Sequence, residues 1–204
     1  MCDRQERSMH IAVIGTGNIG GTLGRALARA GHQVTFGSRH PGDDQAAGDT
    51  SAVVATLAEA LDGGQVVLLA VPARAIDDFL AEHAEAINSK LVIDATNRMG
   101  SANANAATQV SQAAPQARYA RAFNMLGWEN FADPLFDGVP ADLFFSASQA
   151  DRELVAELIA AVGLRPAYLG EDKQDVVDGV LPLWLSLVQA SGGNRNIAFR
   201  VLEK

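Results

Sequence analysis

The chain has one cysteine, Cys2, in 204 residues. No intrachain disulfide can form and no cysteine-bound zinc cluster is available, so a reducing cytoplasm is the expected compartment. Basic residues are also scarce: Lys and Arg total 16 against 24 Asp and Glu, for a formal net charge of −8. Binding a phosphate backbone needs clustered cations, so nucleic acid is excluded as the expected partner and a small molecule is favoured. No apolar run approaches the roughly 20 residues of a membrane-spanning helix, and no membrane association is expected. Residues 1–9 are polar and charged and lack the apolar stretch of a secretory signal. Residues 1–8 read as a flexible tail, and Met9-His10-Ile11 also reads as a plausible start of translation. A chain that is 48% hydrophobic and 20% charged has enough apolar material for a packed domain and too much for a disordered one.

Short apolar runs alternate with stretches of helical period, the pattern of a parallel sheet covered on both faces by helices. Strands are predicted at residues 11–14, 33–36, 66–70, 91–94, 118–122, 142–146 and, more weakly patterned, 167–169. One helix carries Ile19, Leu23 and Leu27 and stops at Gly31. A second places Ile76, Phe79, Leu80 and Ile87 on one face, and a third, from near Gln149, does so with Leu154, Leu158, Ile159 and Val162. The Ala/Asn/Gln-rich stretch 101–114 predicts a further helix, and 42–49 reads as a polar loop. The expected fold class is α/β, a Rossmann-type doubly wound parallel sheet over residues 9–170. A small helical appendage over 171–204 would serve the acceptor site or a dimer contact. In such sheets ligands lie beyond the carboxyl ends of the strands, so the residues just after each strand are the candidates.

Gly15-Thr16-Gly17-Asn18-Ile19-Gly20 follows an apolar strand and opens a helix, the context that gives a Gly-x-Gly-x-x-Gly match its weight. Gly15 permits the tight turn, Gly17 admits a pyrophosphate to the backbone, and Gly20 lets helix and strand pack closely. At the end of the second strand an NAD site carries Asp or Glu, about 20 residues beyond the motif, whereas a 2′-phosphate wants that acid absent and a cation present. The chain reads Gly37-Ser38-Arg39-His40 there, with no acid among the four. Ser38 can donate, Arg39 can fork onto a phosphate, His40 adds local positive potential, and Thr16 adds a hydroxyl. NADP(H) is the expected coenzyme.

Candidates for proton transfer are few. The lysines are Lys90, Lys173 and Lys204, and the histidines His10, His32, His40 and His83. Lys90 and His32 fall at the amino edge of the sheet, His40 at the adenine end and His83 within a helix, so each reads as surface or structural. Hydride exchange between a nicotinamide and a flavin-like ring needs mainly alignment of the rings and no side-chain acid or base. The strand-end residues suit such a site: Val71-Pro72 for the coenzyme, with Met99, Asn124, Met125 and Trp128 toward a substrate.

Gly15 to Gly20, Gly37-Ser38-Arg39, Leu69-Ala70-Val71-Pro72, Ile93-Asp94-Ala95-Thr96-Asn97, Ala122-Phe123-Asn124 and Leu181-Pro182-Leu183-Trp184 carry a resemblance. From about Met9 to the carboxyl terminus the chain resembles the NADPH-dependent reductases of the deazaflavin coenzyme F-420. It also resembles the related cytosolic domain of six-transmembrane metalloreductases, to which it reads closer around Asn97 to Met99 and Trp128. The resemblance implies a cytoplasmic enzyme, often a homodimer, moving hydride between NADP(H) and a flavin-type acceptor such as coenzyme F-420, FMN or FAD. It places the 2′-phosphate on Thr16, Ser38 and Arg39 and the pyrophosphate on Gly17, Asn18 and Ile19. The nicotinamide falls on Ala70, Val71, Pro72, Asn97 and Ala122. No metal site and no catalytic side chain are expected.

Two other functions stay open at this level. An NADPH-sensing or partner-binding module would bind the coenzyme without turnover. A small imine or hydroxy-acid reductase would need a larger helical second domain, and only about 50 residues follow the last well-patterned strand.

Overall fold

The computed structural model describes residues 8–100 and 104–204. Most of the expected tail, Cys2 and residues 101–103 of the predicted helix lie outside the described residues. At the centre, β1 (His10–Ile14) alternates its side chains between two layers. Ile11 and Val13 enter one apolar cluster, while Ala12 and Ile14 enter the other, as a strand buried on both faces must.

The glycine turn leads into α1 (Asn18–Arg29), which buries Leu23 and Leu27 as its spacing predicts and ends beside Gly31 at φ 95°. There follow β2 (Gln33–Ser38) and β3 (Val53–Thr56), then α2 (Leu57–Gly63), which opens on a capping box. Thr56 accepts from the Glu59 N–H, and the Thr56 N–H donates to Glu59 Oε2 at 2.9 Å. The chain continues through β4 (Val66–Leu69), a 3-10 turn (Ala73–Ala75), α3 (Ile76–Ile87) and β5 (Leu91–Asp94). Next come α4 (Ala107–Ala113), β6 (Arg118–Arg121) and α5 (Trp128–Ala132). Lys90, at the amino edge, is structural: its ammonium donates to the Leu61 and Gly64 carbonyls at 2.5 and 2.6 Å, closing the end of α2.

The sheet has eight strands in the order β10-β9-β6-β5-β4-β1-β2-β3 once β9 (Asp142–Ala147) and β10 (Arg165–Tyr168) are included. From β3 through β6 every pairing is parallel. β9, however, is antiparallel to β6, and β10 runs parallel to β9, so the doubly wound sheet is mostly rather than wholly parallel. The cause is the β6–β9 connection. It holds only the short α5 and a hairpin of β7 (Leu135–Phe136) and β8 (Val139–Pro140), turned by Asp137 and Gly138 at φ 51° and 80°. Such a connection returns the chain from the opposite end, where a parallel strand would need a full crossover.

After α6 (Arg152–Ala161) and β10, the segment from residue 171 forms α7 (Gln174–Asp178) and α8 (Val180–Ala190). It packs into the main core rather than standing apart: Leu181 and Trp184 join the cluster under α1 and α6. Among the described residues no helix is long and apolar enough to cross a membrane.

Candidate functional site

The sheet order reverses between β1 and β4, so their carboxyl ends diverge into a crevice. Gly15 leaves β1 at φ 111°, and a Cβ there would lie 2.4 Å from the Ala70 carbonyl oxygen. A Cβ at Gly20 would lie 1.9 Å from the Gly15 carbonyl oxygen. Only glycine allows these approaches. Gly17 differs, because a Cβ there would meet nothing within 4 Å, so that position faces open space at the mouth of the crevice. Gly17 is also the N-cap of α1 and supplies no side-chain cap. The first amides of α1 therefore keep their N–H groups available to an anion. A turn without Cβ atoms below an uncapped helix start fits a pyrophosphate.

The crevice is a cleft of about 1120 Å³, above the ~300–1,000 Å³ usual for drug-sized ligands and suited to an extended dinucleotide. Gly15 to Ile19, Ser38 to His40, Ala70 to Pro72 and Asn97 line it, so the three predicted groups of coenzyme residues converge. Pro72 caps the 3-10 turn leading into α3. Gly20 and Ala122 are buried behind the lining.

The acceptor residues do not assemble as predicted. Met99 and Trp128 are exposed, at 67% and 38%, whereas Met125 is fully buried in the core and Asn124 is 1% exposed. Met125 packs inward because the chain doubles back after β6 through Phe123, a bulky residue held at φ 62°, whose ring meets Phe131 edge-on at 5.9 Å. Lys173 does not line the cleft. His83 does: α3 carries it, with Phe79 and Glu82, to the cleft wall, a place the reading as a surface or structural helix residue did not specify. Its Nε2 is buried without a hydrogen-bond partner, 3.8 Å from Glu82 Oε2.

Beneath Asn97 lies a polar network that the sequence did not disclose. Arg121 is fully buried. Its guanidinium pairs with Asp94 at 3.2 Å and Asp178 at 2.6 Å and donates to the Thr96 carbonyl at 2.6 Å and to Asn97 Oδ1 at 3.1 Å. Asn97 Nδ2 in turn donates to the Asn124 carbonyl at 2.8 Å. The Asn97 amide is thus held rather than free to turn. Asp94 also accepts from Tyr119 Oη at 2.6 Å. Burial, with the neighbouring carboxylate of Asp94, pushes the Tyr119 phenol well above its ordinary value. α7 is tied to the ends of β5 and β6 through Asp178, which with Asp94 pairs the buried Arg121 as a buried charge requires, while the buried Asn124 Oδ1 beside it has no hydrogen-bond partner.

At the adenosine end the expected absence of acid holds for residues 37–40 but not for the folded pocket. The loop after His40 turns back and brings Asp43 and Asp44 into the lining. Ser38 Oγ donates to Asp44 Oδ2 at 2.9 Å, and the His40 N–H donates to Ser38 Oγ at 3.2 Å. Among the described residues no group of three His, Cys, Asp or Glu is placed to hold a metal ion.

Residues 10–98, somewhat under half of the chain, match the model of the NADP oxidoreductase, coenzyme F-420-dependent family. The fold is similar over 96% of this chain and 100% of the other to a proposed F-420-dependent NADP reductase of Arthrobacter sp. FB24, at a TM-score of 0.82 and 25% identity. A hypothetical protein of Sinorhizobium meliloti is 28% identical, with a TM-score of 0.64 over 82% of this chain and 87% of that one. An imine reductase of Pseudomonas sp. shares the fold at a TM-score of 0.73 and 18% identity. That similarity covers 91% of this chain but only 64% of the reductase. The family resemblance, the Rossmann-like fold and the class of NADP-dependent oxidoreductase rest on these matches.

Proposed function

We propose that the chain transfers hydride between NADP(H) and a flavin or deazaflavin ring, with coenzyme F-420, FMN or FAD as acceptor. The observation that carries this reading is the cleft itself. The Cβ-free turn at Gly15 to Gly20, the Ser38-Arg39-His40 edge and the Val71-Pro72 turn lie along one continuous wall. In this reading the amides of Gly17, Asn18 and Ile19 hold the pyrophosphate, Thr16, Ser38 and Arg39 hold the 2′-phosphate, and the backbone of Ala70 to Pro72 orients the nicotinamide. When bound, the nicotinamide gives or takes the hydride itself. The protein's share is positioning, with Asn97 fixed by Arg121 as one side of the frame. Met99 and Trp128, both exposed near this end of the sheet, would meet the acceptor ring, and a homodimer in the cytoplasm is the form proposed.

The unpartnered Nε2 of His83 in the cleft wall supports a second reading, reduction of an imine or carbonyl, which needs a proton as well as a hydride. A panel of coenzyme F-420, FMN, FAD and a cyclic imine, each with NADPH or NADH, distinguishes the two through loss of nicotinamide absorbance. The first reading expects NADPH consumption with a flavin-type acceptor. Consumption with the imine alone, lowered about 100-fold or more by His83→Gln, would favour the second.

A further inference from the structure

One carboxylate sits where the proposed coenzyme site wants an anion. Asp44 Oδ2 accepts from Ser38 Oγ at 2.9 Å and Oδ1 accepts the Ala46 N–H at 3.0 Å, and the Thr16 hydroxyl is among the groups that stabilise the carboxylate. Burial pushes the Asp44 carboxyl up, yet the hydrogen bonds from Thr16, Ser38 and the Ala46 N–H outweigh it and leave the group below its ordinary value. The carboxylate is therefore ionised at neutral pH and holds the Ser38 hydroxyl, one of the two assigned above to the 2′-phosphate. The loop bearing it is anchored just beyond Asp44. Arg25 Nη1 donates to the Ala46 carbonyl at 3.0 Å, Ala46 is buried, and Arg29 pairs with Asp49 at 2.8 Å. On the other side Gly42 and Asp43 are exposed. The Asp44 side chain can swing toward solvent while the rest of the loop keeps its seat on α1.

We propose that Asp44 is a specificity-determining residue whose carboxylate occupies the seat of the coenzyme 2′-phosphate and must leave it for NADP(H) to bind. This rests on the reading of the cleft as an NADP(H) site. A phosphate and an ionised carboxylate cannot share the Ser38 hydroxyl donor, because like charges at hydrogen-bonding distance repel. The wild-type protein thus binds NADPH only in the fraction of molecules with Asp44 displaced, and its apparent affinity is lowered by that fraction. NADH has no 2′-phosphate and leaves the carboxylate in place.

The test is calorimetric titration of the full chain with NADPH, NADH, adenosine 2′,5′-bisphosphate and adenosine 5′-monophosphate, in the wild type, Asp44→Ala and Asp44→Asn. Removing the carboxylate should tighten NADPH and the bisphosphate by about tenfold and leave NADH and the monophosphate within about twofold. Glu85→Gln removes the same formal charge from the exposed face of α3, outside the cleft lining and away from the loop, and should change the bisphosphate by less than about twofold. Unchanged or weaker NADPH binding in both Asp44 variants overturns the proposal. So does a selective loss of NADH, which would make Asp44 a ligand of the ribose hydroxyl. Equal tightening by Glu85→Gln overturns it as well, by reducing the effect to net charge. If no form binds either coenzyme, the reading of the cleft falls too, and that outcome is distinct from all the others.

Discussion

Arg39 is exposed at the rim of the cleft, where it can form a forked contact with a phosphate or stack on a base. Arg39→Glu should weaken NADPH by about tenfold or more while changing NADH only slightly. Coenzyme titration checks this, and equal losses for both would show that Arg39 does not read the 2′-phosphate. Residues of this kind were legible in the sequence because local chemistry fixes them: a glycine that must accept φ 111° announces its turn, and Ser38-Arg39 follows a strand end. Asp44 and Arg121 were not. Asp44 reaches Ser38 only because the loop folds back. Arg121 lies in a short strand, Arg-Tyr-Ala-Arg, whose other arginine is exposed, so nothing local marks it as the buried one, and its partner Asp178 lies 57 positions away in the sequence. His83 was read as a helix residue, which it is, but the face it occupies depends on where α3 docks.

At the scale of elements, the carboxyl-terminal stretch after α8 is held on the sheet edge through Asp142. This buried carboxylate pairs with Arg165, accepts the Val201 N–H at 2.6 Å and lies 3.7 Å from Arg200. Trp184 Nε1 donates to the Ile197 carbonyl at 2.7 Å and fastens the same stretch to α8. Burial pushes the Asp142 carboxyl up, but Arg165, the Val201 N–H and Arg200 together hold it below its ordinary value. A carboxylate depressed in the folded state stabilises it fully above the unfolded value, about pH 4, and the contribution fades as the pH falls through the folded value. Acidification in that range should therefore release residues 197–201 ahead of the central strands, which amide hydrogen exchange would follow. Asp142→Asn should cost about 2 kcal/mol at neutral pH, less than for a fully buried pair because Arg165 is 36% exposed. It should also remove the acid step, and an acid step that survives the substitution would place its origin elsewhere.

At the scale of the molecule, alternating apolar runs and helical stripes fixed the layers and the position of the cleft, since the central strands β1, β4 and β5 are buried on both faces and the helices that cover them on one. The same pattern concealed strand direction. β9 reads as a buried apolar strand like those of the parallel core, yet it follows the hairpin at Asp137-Gly138 and runs antiparallel to β6. β3 was missed because it is a four-residue edge strand with Val53 and Thr56 exposed and only Val54 and Ala55 half-buried. The carboxyl-terminal helices, read as an appendage, complete the main core through Leu181 and Trp184 and clamp Arg121 through Asp178. Among the described residues these helices belong to the same core as the sheet, and the proposed chemistry is placed in the cleft.

The central claim is that hydride passes directly from the nicotinamide to a ring aligned in that cleft. It is tested most directly by transfer of deuterium from NADPH labelled at the reactive nicotinamide carbon to an oxidised deazaflavin, either coenzyme F-420 or a deaza analogue of FMN, whose accepting carbon retains the label. We expect one deuterium in the reduced deazaflavin by mass spectrometry, together with oxidised NADP. NADPH that binds the protein but keeps its label in the presence of either acceptor would contradict the account.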